Sequence, residues 1–112
     1  MLKASFEAQS LDSGEIQPTL PSPIQLYYRN KAQFVVKRDA KTGRPSIGLY
    51  ARHSHRVIDI ETCFIQHPLV NDVLVIVREW LDTAVIPFYD ETSHRGLLRH
   101  VVVRVGVATN DV

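Results

Sequence analysis

The sequence contains one cysteine, Cys63, among its 112 residues. A single thiol excludes a disulfide within the chain and is typical of proteins from a reducing compartment, so we expect a cytoplasmic protein. Nowhere does an apolar run reach the roughly 18 to 20 residues that cross a bilayer. Residues 1–10 also lack the continuous apolar stretch of a secretory signal. We therefore expect no membrane partner.

The chain also lacks the side-chain patterns that bind common cofactors. Its glycines are too scattered to form a glycine-rich phosphate loop: Gly14, Gly43, Gly48, Gly96 and Gly106. Its potential zinc ligands follow none of the standard structural spacings: His53, His55, Cys63, His67 and His94. Because its neighbours Phe64 and Ile65 are apolar, Cys63 is better suited to a structural or ligand role than to nucleophilic catalysis. We expect this chain alone to bind no cofactor.

The net charge is only +1, but the charged residues are unevenly distributed. Residues 29–56, the basic block, hold eight Lys and Arg against Asp39, which gives +7. Residues 57–94, the acidic block, hold seven Asp and Glu against Arg78, which gives −6. A basic block of this kind can supply the electrostatic footprint of a polyanion-binding surface. The alternative is a solvated hairpin that is basic without binding anything.

The first half of the chain predicts a short helix, an extended lead-in and a long strand. Residues 2–8 have a helical composition, and three prolines in residues 18–23 enforce an extended backbone. Residues 26–37 alternate with period two, which predicts a half-buried strand with a basic outer face. The apolar face of that strand comprises Leu26, Tyr28, Ala32, Phe34 and Val36.

The second half predicts a helix between further strands. Residues 47–53 and 57–60 have strand patterns, and the valines of residues 97–107 favour a central strand buried on both faces. Residues 68–84 show helical spacing after Pro68, although residues 73–77 alone also suit a buried strand. We predict an α+β fold, in which an antiparallel sheet of about four strands packs against one main helix. Residues 1–23 form the lead-in and residues 24–112 form the domain.

A series of short motifs resembles the central domain of the RNA (uracil-5-)-methyltransferases, and it occurs in the order found in that family. The motifs are PSP (21–23), YRNKAQF (28–34), GLYAR (48–52), SH (54–55), DIETC (59–63), IQ (65–66), YDE (89–91), HRGLLRH (94–100) and VR (103–104). They cover roughly residues 18–107, and the branch that methylates 23S ribosomal RNA is the more similar one. The resemblance implies that the chain is a fragment that ends before the catalytic domain.

In that family, a cysteine thiolate adds to uracil C6 and a methyl group passes from S-adenosylmethionine to C5. The groups responsible lie in a Rossmann-like domain whose motifs are absent here, so the resemblance implies that this chain alone is inactive. Many members also hold a [4Fe-4S] cluster, and the position of its fourth cysteine matches Cys63. Our Cys63-Phe64-Ile65 departs from the Cys-Pro-Ile of many members. Cluster ligation is thus expected only in a full-length protein.

The resemblance and the basic block together predict that the chain binds ribosomal RNA and presents a uridine to a catalytic domain of the same polypeptide. The segment 28–31 combines an aromatic ring, two cations and an amide, groups suited to stacking, phosphate contact and base recognition. The predicted RNA-contacting residues are Arg29, Lys31, Lys37, Arg52, Arg95 and Arg99. Two alternatives are a stand-alone RNA-binding protein and an interaction module in which the basic and acidic blocks pair with each other.

Overall fold

The structure is a computed structural model that describes residues 2–112. The elements in chain order are α1 (Leu2–Ala8), β1 (Lys31–Arg38), β2 (Pro45–Tyr50), β3 (Val57–Asp59), α2 (Pro68–Thr83) and β4 (His100–Arg104). All four strands form one antiparallel sheet in the order β3-β2-β1-β4. The predicted α+β architecture, with a four-stranded sheet and one main helix, is confirmed.

The core lies between one face of the sheet and α2. On β1, Ala32, Phe34 and Val36 are buried, whereas the intervening Lys31 and Gln33 are exposed. The other members of the core cluster are Ile47 of β2, Val70, Leu74 and Leu81 of α2, Val103 of β4 and Val105. The period-two alternation of β1 therefore sorts its side chains between a face covered by α2 and a face that α2 leaves open.

Helix α2 forms where the helical spacing predicted it. Pro68 stands in the first turn, and the Leu69 N–H donates to Nδ1 of His67, the N-cap residue, at 3.2 Å. The helix ends at Thr83, after which Ala84 has an extended conformation. The alternative strand over residues 73–77 is wrong, since this segment lies inside the helix.

The strand predicted from residue 26 begins five residues later, at Lys31. Tyr27 has a left-handed φ of 57°, which interrupts an extended strand. Its N–H donates to the Phe64 carbonyl at 2.8 Å, so the chain pairs here with a loop and not with the sheet. Leu26 and Tyr28 are 52% and 57% exposed, so their predicted place on the buried face is wrong.

The last strand is shorter and less buried than its valines predicted. β4 covers His100–Arg104 at the edge of the sheet, and only one of its faces packs on the core. Val103 is 4% exposed, whereas its neighbour Val102 is 50% exposed. The prediction of a central strand buried on both faces is therefore wrong. An uninterrupted valine run hides the alternation that reveals a one-sided strand.

An ion pair ties α2 to the sheet. Arg78 Nη1 lies 2.9 and 3.1 Å from the two carboxylate oxygens of Asp59, and Nη2 donates to the Ile60 carbonyl at 2.8 Å. Asp59 also accepts the Ile47 N–H at 2.8 Å. Within residues 2–112 the one other ion pair joins His55 and Glu91. No Lys or Arg of the basic block takes part in either ion pair, so the ion pair that joins the two blocks is the one between His55 and Glu91.

Candidate nucleic-acid interface

The sheet surface opposite α2 carries a compact set of exposed residues from β1 and β4. Directly opposed residues of antiparallel strands share a face. Lys31 lies opposite Arg104, and Gln33 lies opposite Val102. All four side chains are exposed, and we refer to them as the open face. It is a solvent-accessible platform fixed on two hydrogen-bonded strands.

The open face carries two cations, Lys31 and Arg104, at directly opposed positions. Like charges directly opposed across a strand pair are destabilising, on the order of 0.2–1 kcal/mol. Within residues 2–112, neither Lys31 nor Arg104 has an acidic partner to offset this repulsion. A polyanion would relieve it by placing negative charge between the two cations. Gln33 and Val102 add an amide for base edges and an apolar surface for base contact.

Arg29 lies just before β1, at the Lys31 end of the open face. Its backbone is fixed, because its N–H donates to the Ile65 carbonyl at 2.9 Å and its carbonyl accepts the His67 N–H at 2.8 Å. The exposed side chain donates from Nε to the Lys31 carbonyl at 3.1 Å. Arg29 is therefore an available cation and not a buried scaffold residue. Its contact with RNA stays a prediction.

At the opposite end of β1, four residues form a linked cluster, the Glu91 clasp: Lys37, Tyr50, His55 and Glu91. The Tyr50 hydroxyl donates to Glu91 Oε1 at 2.7 Å, and His55 Nδ1 lies 2.8 Å from Oε2. Lys37 Nζ donates to the His55 carbonyl at 3.2 Å. The clasp thereby fastens the loop after β2 both to β1 and to the segment before β4.

The electrostatics of the clasp favour an ionised carboxylate. The hydrogen bond from Tyr50 lowers the pKa of Glu91, and the nearby His55, Lys37 and Arg99 act in the same direction. The same hydrogen bond raises the pKa of Tyr50, which keeps its hydroxyl protonated as the donor. Glu91 is therefore negatively charged at neutral pH.

Of the remaining predicted residues, Arg99 is the most firmly placed. Its guanidinium carbon lies 4.4 Å from the centroid of the Tyr89 ring, a cation–π contact. Arg95 is exposed, and its carbonyl accepts the Asp90 N–H at 2.7 Å. Arg52 is exposed after β2, with Nε 3.2 Å from a ring nitrogen of His53.

The six predicted residues thus fall into separate groups. Arg29 and Lys31 lie at one end of β1, whereas Lys37 and Arg99 meet around Glu91 at the other. Six residues of strand separate Lys31 from Lys37, which corresponds to about 20 Å. A single small ligand does not reach both groups, but an RNA does.

Sequence reasoning missed three of the four residues of the clasp and three of the four residues of the open face. Arg104 and Val102 were not among the predicted contacts, because β4 was assigned as a buried central strand. Gln33 of β1 was not named as a contact either. The signal available was the polar residue at each end of the segment His100–Arg104. No local sequence pattern predicts the hydrogen bond between Tyr50 and Glu91, because the two residues lie 41 positions apart in the sequence.

Cys63 is held beside the first turn of α2. Its N–H donates to Asn71 Oδ1 at 2.9 Å, and Asn71 Nδ2 donates to the Cys63 carbonyl at 3.2 Å. In residues 2–112 no three His, Cys, Asp or Glu side chains are grouped to hold a metal. With one thiol, the chain supplies at most one ligand of a four-thiolate cluster. Its own residues therefore do not fit a complete cluster.

The helices of residues 2–112 fall short of the length and hydropathy needed to cross a membrane. No protein-family model matches the chain. It is 45% identical over 101 residues to an uncharacterized RNA methyltransferase of Geobacter sulfurreducens, covering 90% of this chain and 20% of that protein. It is 47% identical over 88 residues to an uncharacterized RNA methyltransferase of Caldanaerobacter subterraneus, covering 78% of this chain and 19% of that protein.

The fold also matches a solved structure, that of Pyrococcus abyssi tRNA (uracil-54, C5)-methyltransferase in complex with S-adenosyl-L-homocysteine. The TM-score is 0.71 at 19% sequence identity, and the match covers 97% of this chain and 25% of that one. The chain spans about one fifth of the curated relatives it matches. Over most of its length, it is therefore similar to a segment of proteins named RNA methyltransferases.

Proposed function

We propose that this chain is the RNA-contacting segment of an S-adenosylmethionine-dependent RNA (uracil-C5) methyltransferase that acts on 23S ribosomal RNA. The observation that carries the proposal is the open face, on which Lys31 and Arg104 stand directly opposed without acidic partners. The similarity to RNA methyltransferases supplies the reaction class. The motifs shared with the uracil-5 family supply the substrate atom and the ribosomal target.

In this role the chain binds and orients RNA and performs no bond-breaking step. Lys31 and Arg104 contact phosphates, while Gln33 and Val102 contact a base. Turning a uridine out of its stack costs a few kcal/mol, which contacts to the surrounding RNA offset. The methyl donor and the catalytic thiolate belong to another part of the polypeptide, so the isolated chain is expected to be inactive. The enzyme is expected in the cytoplasm.

Cys63 has a separate place in this proposal. In a full-length protein it would supply one thiolate to a [4Fe-4S] cluster whose other thiolates lie outside this chain. The Asn71 side chain, bonded to both the N–H and the carbonyl of Cys63, fixes the backbone that presents the thiol. The isolated chain is accordingly expected to be colourless and free of stoichiometric iron.

A binding experiment tests the role of the open face. The chain is titrated against a fluorescein-labelled RNA stem–loop, and fluorescence anisotropy is recorded over a range of salt concentrations. Arg104→Gln should weaken binding and reduce the salt slope by about 0.7 to 0.9, the loss of one phosphate contact. Lys3→Gln removes the same charge from exposed α1 and serves as the control. Wild-type chain that binds no RNA, or an Arg104 variant that behaves like the control, would contradict the proposal.

The assignment of the reaction needs the complete gene product. Incubated with methyl-labelled S-adenosylmethionine, it should place label at C5 of uridine in unmodified 23S ribosomal RNA. Unmodified transfer RNA is the comparison substrate, and label in transfer RNA alone would show that the ribosomal assignment is wrong. Incorporation by the isolated chain would show that catalysis does not require another domain.

A further inference from the structure

A groove beside the Glu91 clasp carries positive charge on both of its walls. One wall is the end of β1 with the turn that follows it, including Lys37 and Lys41. The other wall is the loop before β3, including Arg56, and Ser46 of β2 lies between the two. None of these residues belongs to the open face. The groove is thus a separate basic surface.

The one carboxylate among the residues that line the groove, that of Asp39, accepts hydrogen bonds from the turn that follows it. Asp39 Oδ1 accepts the N–H of Lys41 at 2.7 Å and the N–H of Thr42 at 2.9 Å. These backbone hydrogen bonds lower the pKa of Asp39 and shape the turn that carries Lys41. Asp39 therefore forms no ion pair across the groove, and the lysine and arginine charges are only partly offset.

Within residues 2–112, two of the groove cations, Lys41 and Arg56, lack a side-chain hydrogen bond or ion pair, although the charge of Lys41 helps to lower the pKa of Asp39. Arg38, by contrast, donates to the Gly43 carbonyl at 2.6 Å and stacks 4.5 Å from the Phe88 ring centroid. The groove is consequently lined by a lysine from one wall and an arginine from the other.

The clasp fixes the distance between the walls. His55, next to Arg56, is bound by Glu91 and Lys37. The Ala51 N–H also donates to the Arg56 carbonyl at 2.7 Å. The loop that carries Arg56 is therefore held in place before any ligand arrives, which reduces the entropic cost of binding.

We propose that this groove is a second anion site, which binds backbone phosphates of the duplex stem flanking the RNA held by the open face. Lys41 and Arg56 contact phosphates from the two walls. The proposal rests on the proposed function. It extends the RNA interface from the open face on β1 and β4 to the groove at the other end of β1. It commits to RNA because the groove includes Lys37, which lies on the same face of β1 as Lys31 of the open face.

The separation of the two sites sets the size of the RNA. About 20 Å lies between Lys31 and Lys37 along the strand. At about 3.4 Å per nucleotide of a stacked strand, that corresponds to roughly six nucleotides. A short single strand bound at the open face does not reach the groove, whereas a stem–loop with a longer stem contacts both sites.

The test compares two fluorescein-labelled RNAs on the same chain: a stem–loop with a stem of about eight base pairs, and a loop strand of about three nucleotides, which spans only about 10 Å. Lys41→Gln and Arg56→Gln should each weaken stem–loop binding on the order of tenfold at low salt, with a salt slope smaller by about 0.9. Binding of the loop strand should not change. Arg104→Gln should weaken both RNAs, and Lys3→Gln neither. Circular dichroism checks that each variant folds.

The outcomes separate this inference from the proposed function. If the Lys41 and Arg56 variants bind the stem–loop as Lys3→Gln does while Arg104→Gln binds it more weakly, the groove is not an RNA site. The proposed role of the open face is then retained. If the Lys41 and Arg56 variants lose equal affinity for both RNAs, the loss is a general effect of charge, and the second site is overturned. If poly-glutamate displaces the stem–loop as well as unlabelled RNA does, the groove takes acidic polymers in general. If the wild-type chain binds neither RNA, the proposed function itself fails.

Discussion

Replacing Arg104 should make the protein more stable while weakening its proposed function. Arg104 and Lys31 are directly opposed on an exposed strand pair, and no acidic residue in the described chain forms an ion pair with either. Removing one charge relieves a repulsion on the order of 0.2–1 kcal/mol. Threonine is the replacement of choice, because its branched side chain suits an edge strand.

The size of the effect on melting follows from the size of the domain. A gain of about 0.5 kcal/mol should raise the Tm of Arg104→Thr by about 2–4 °C at low salt. Salt screens exposed charges, with a Debye length of about 3 Å at 1 M. The gain should therefore shrink as salt is added. The measurement is thermal unfolding followed by circular dichroism at several salt concentrations, with RNA binding measured on the same samples.

A double-mutant cycle provides the control. Lys31→Thr should give a similar gain, and the two gains should not add, because either substitution removes the same repulsion. Additive gains would mean that each charge is unfavourable for its own reason. A lower Tm for Arg104→Thr at low salt would refute the argument, since it would show that the arginine stabilises the strand. In that case its position could not be attributed to a ligand.

Two further predictions concern the contacts that hold the site in place. Asp59→Ala leaves Nη1 of Arg78 and the Ile47 N–H without their acceptor. It should lower the free energy of unfolding by about 1–2 kcal/mol in urea titrations, a value discounted for the 44% exposure of the Asp59 side chain. Asp59→Asn retains an acceptor and should cost less. Because the pKa of Glu91 lies below its ordinary 4.5, its contribution to stability is complete above that pH and is lost as the pH falls through the folded-state pKa. Glu91→Gln should thus lose less Tm between about pH 5 and pH 3 than wild type, and an equal loss would contradict the clasp.

The fold was predictable where local spacing determines the structure. Helix α2 was predicted over residues 68–84 and covers Pro68–Thr83, because both Pro68 and the apolar spacing act within one helix. The first residue of β1 was not predictable, because residues 27–29 pair with the loop before α2, and this is a long-range contact. The edge position of β4 is likewise a property of strand order, which no local pattern of residues 97–107 records.

The candidate site was predictable only in part, for the same physical reason. The basic block identified Lys31 and Lys37 as cations of one strand, and the strand indeed presents both on the side away from Phe34 and Val36. The partner of Lys31 is Arg104, which lies 73 residues further along the chain and belongs to no basic block. The site forms because β1 and β4 pair in the sheet. The amino-acid composition along the chain does not show which strands pair.

Part of the separation of charge in the sequence becomes a separation of faces in the structure, although Glu91 of the acidic block lies beside Lys37. The buried residues of α2, Leu74 and Leu81 among them, face the sheet, so Asp72 and Glu79 on the opposite side of the helix face solvent. The acidic surface of α2 and the cations of the open face thus lie on opposite sides of one sheet. At physiological salt the Debye length is about 8 Å, similar to the thickness of a helix layer. Each face therefore acts on an approaching polyanion largely by itself. We expect an approaching RNA to be repelled from the helix side and attracted to the sheet side, which would orient it before contact forms.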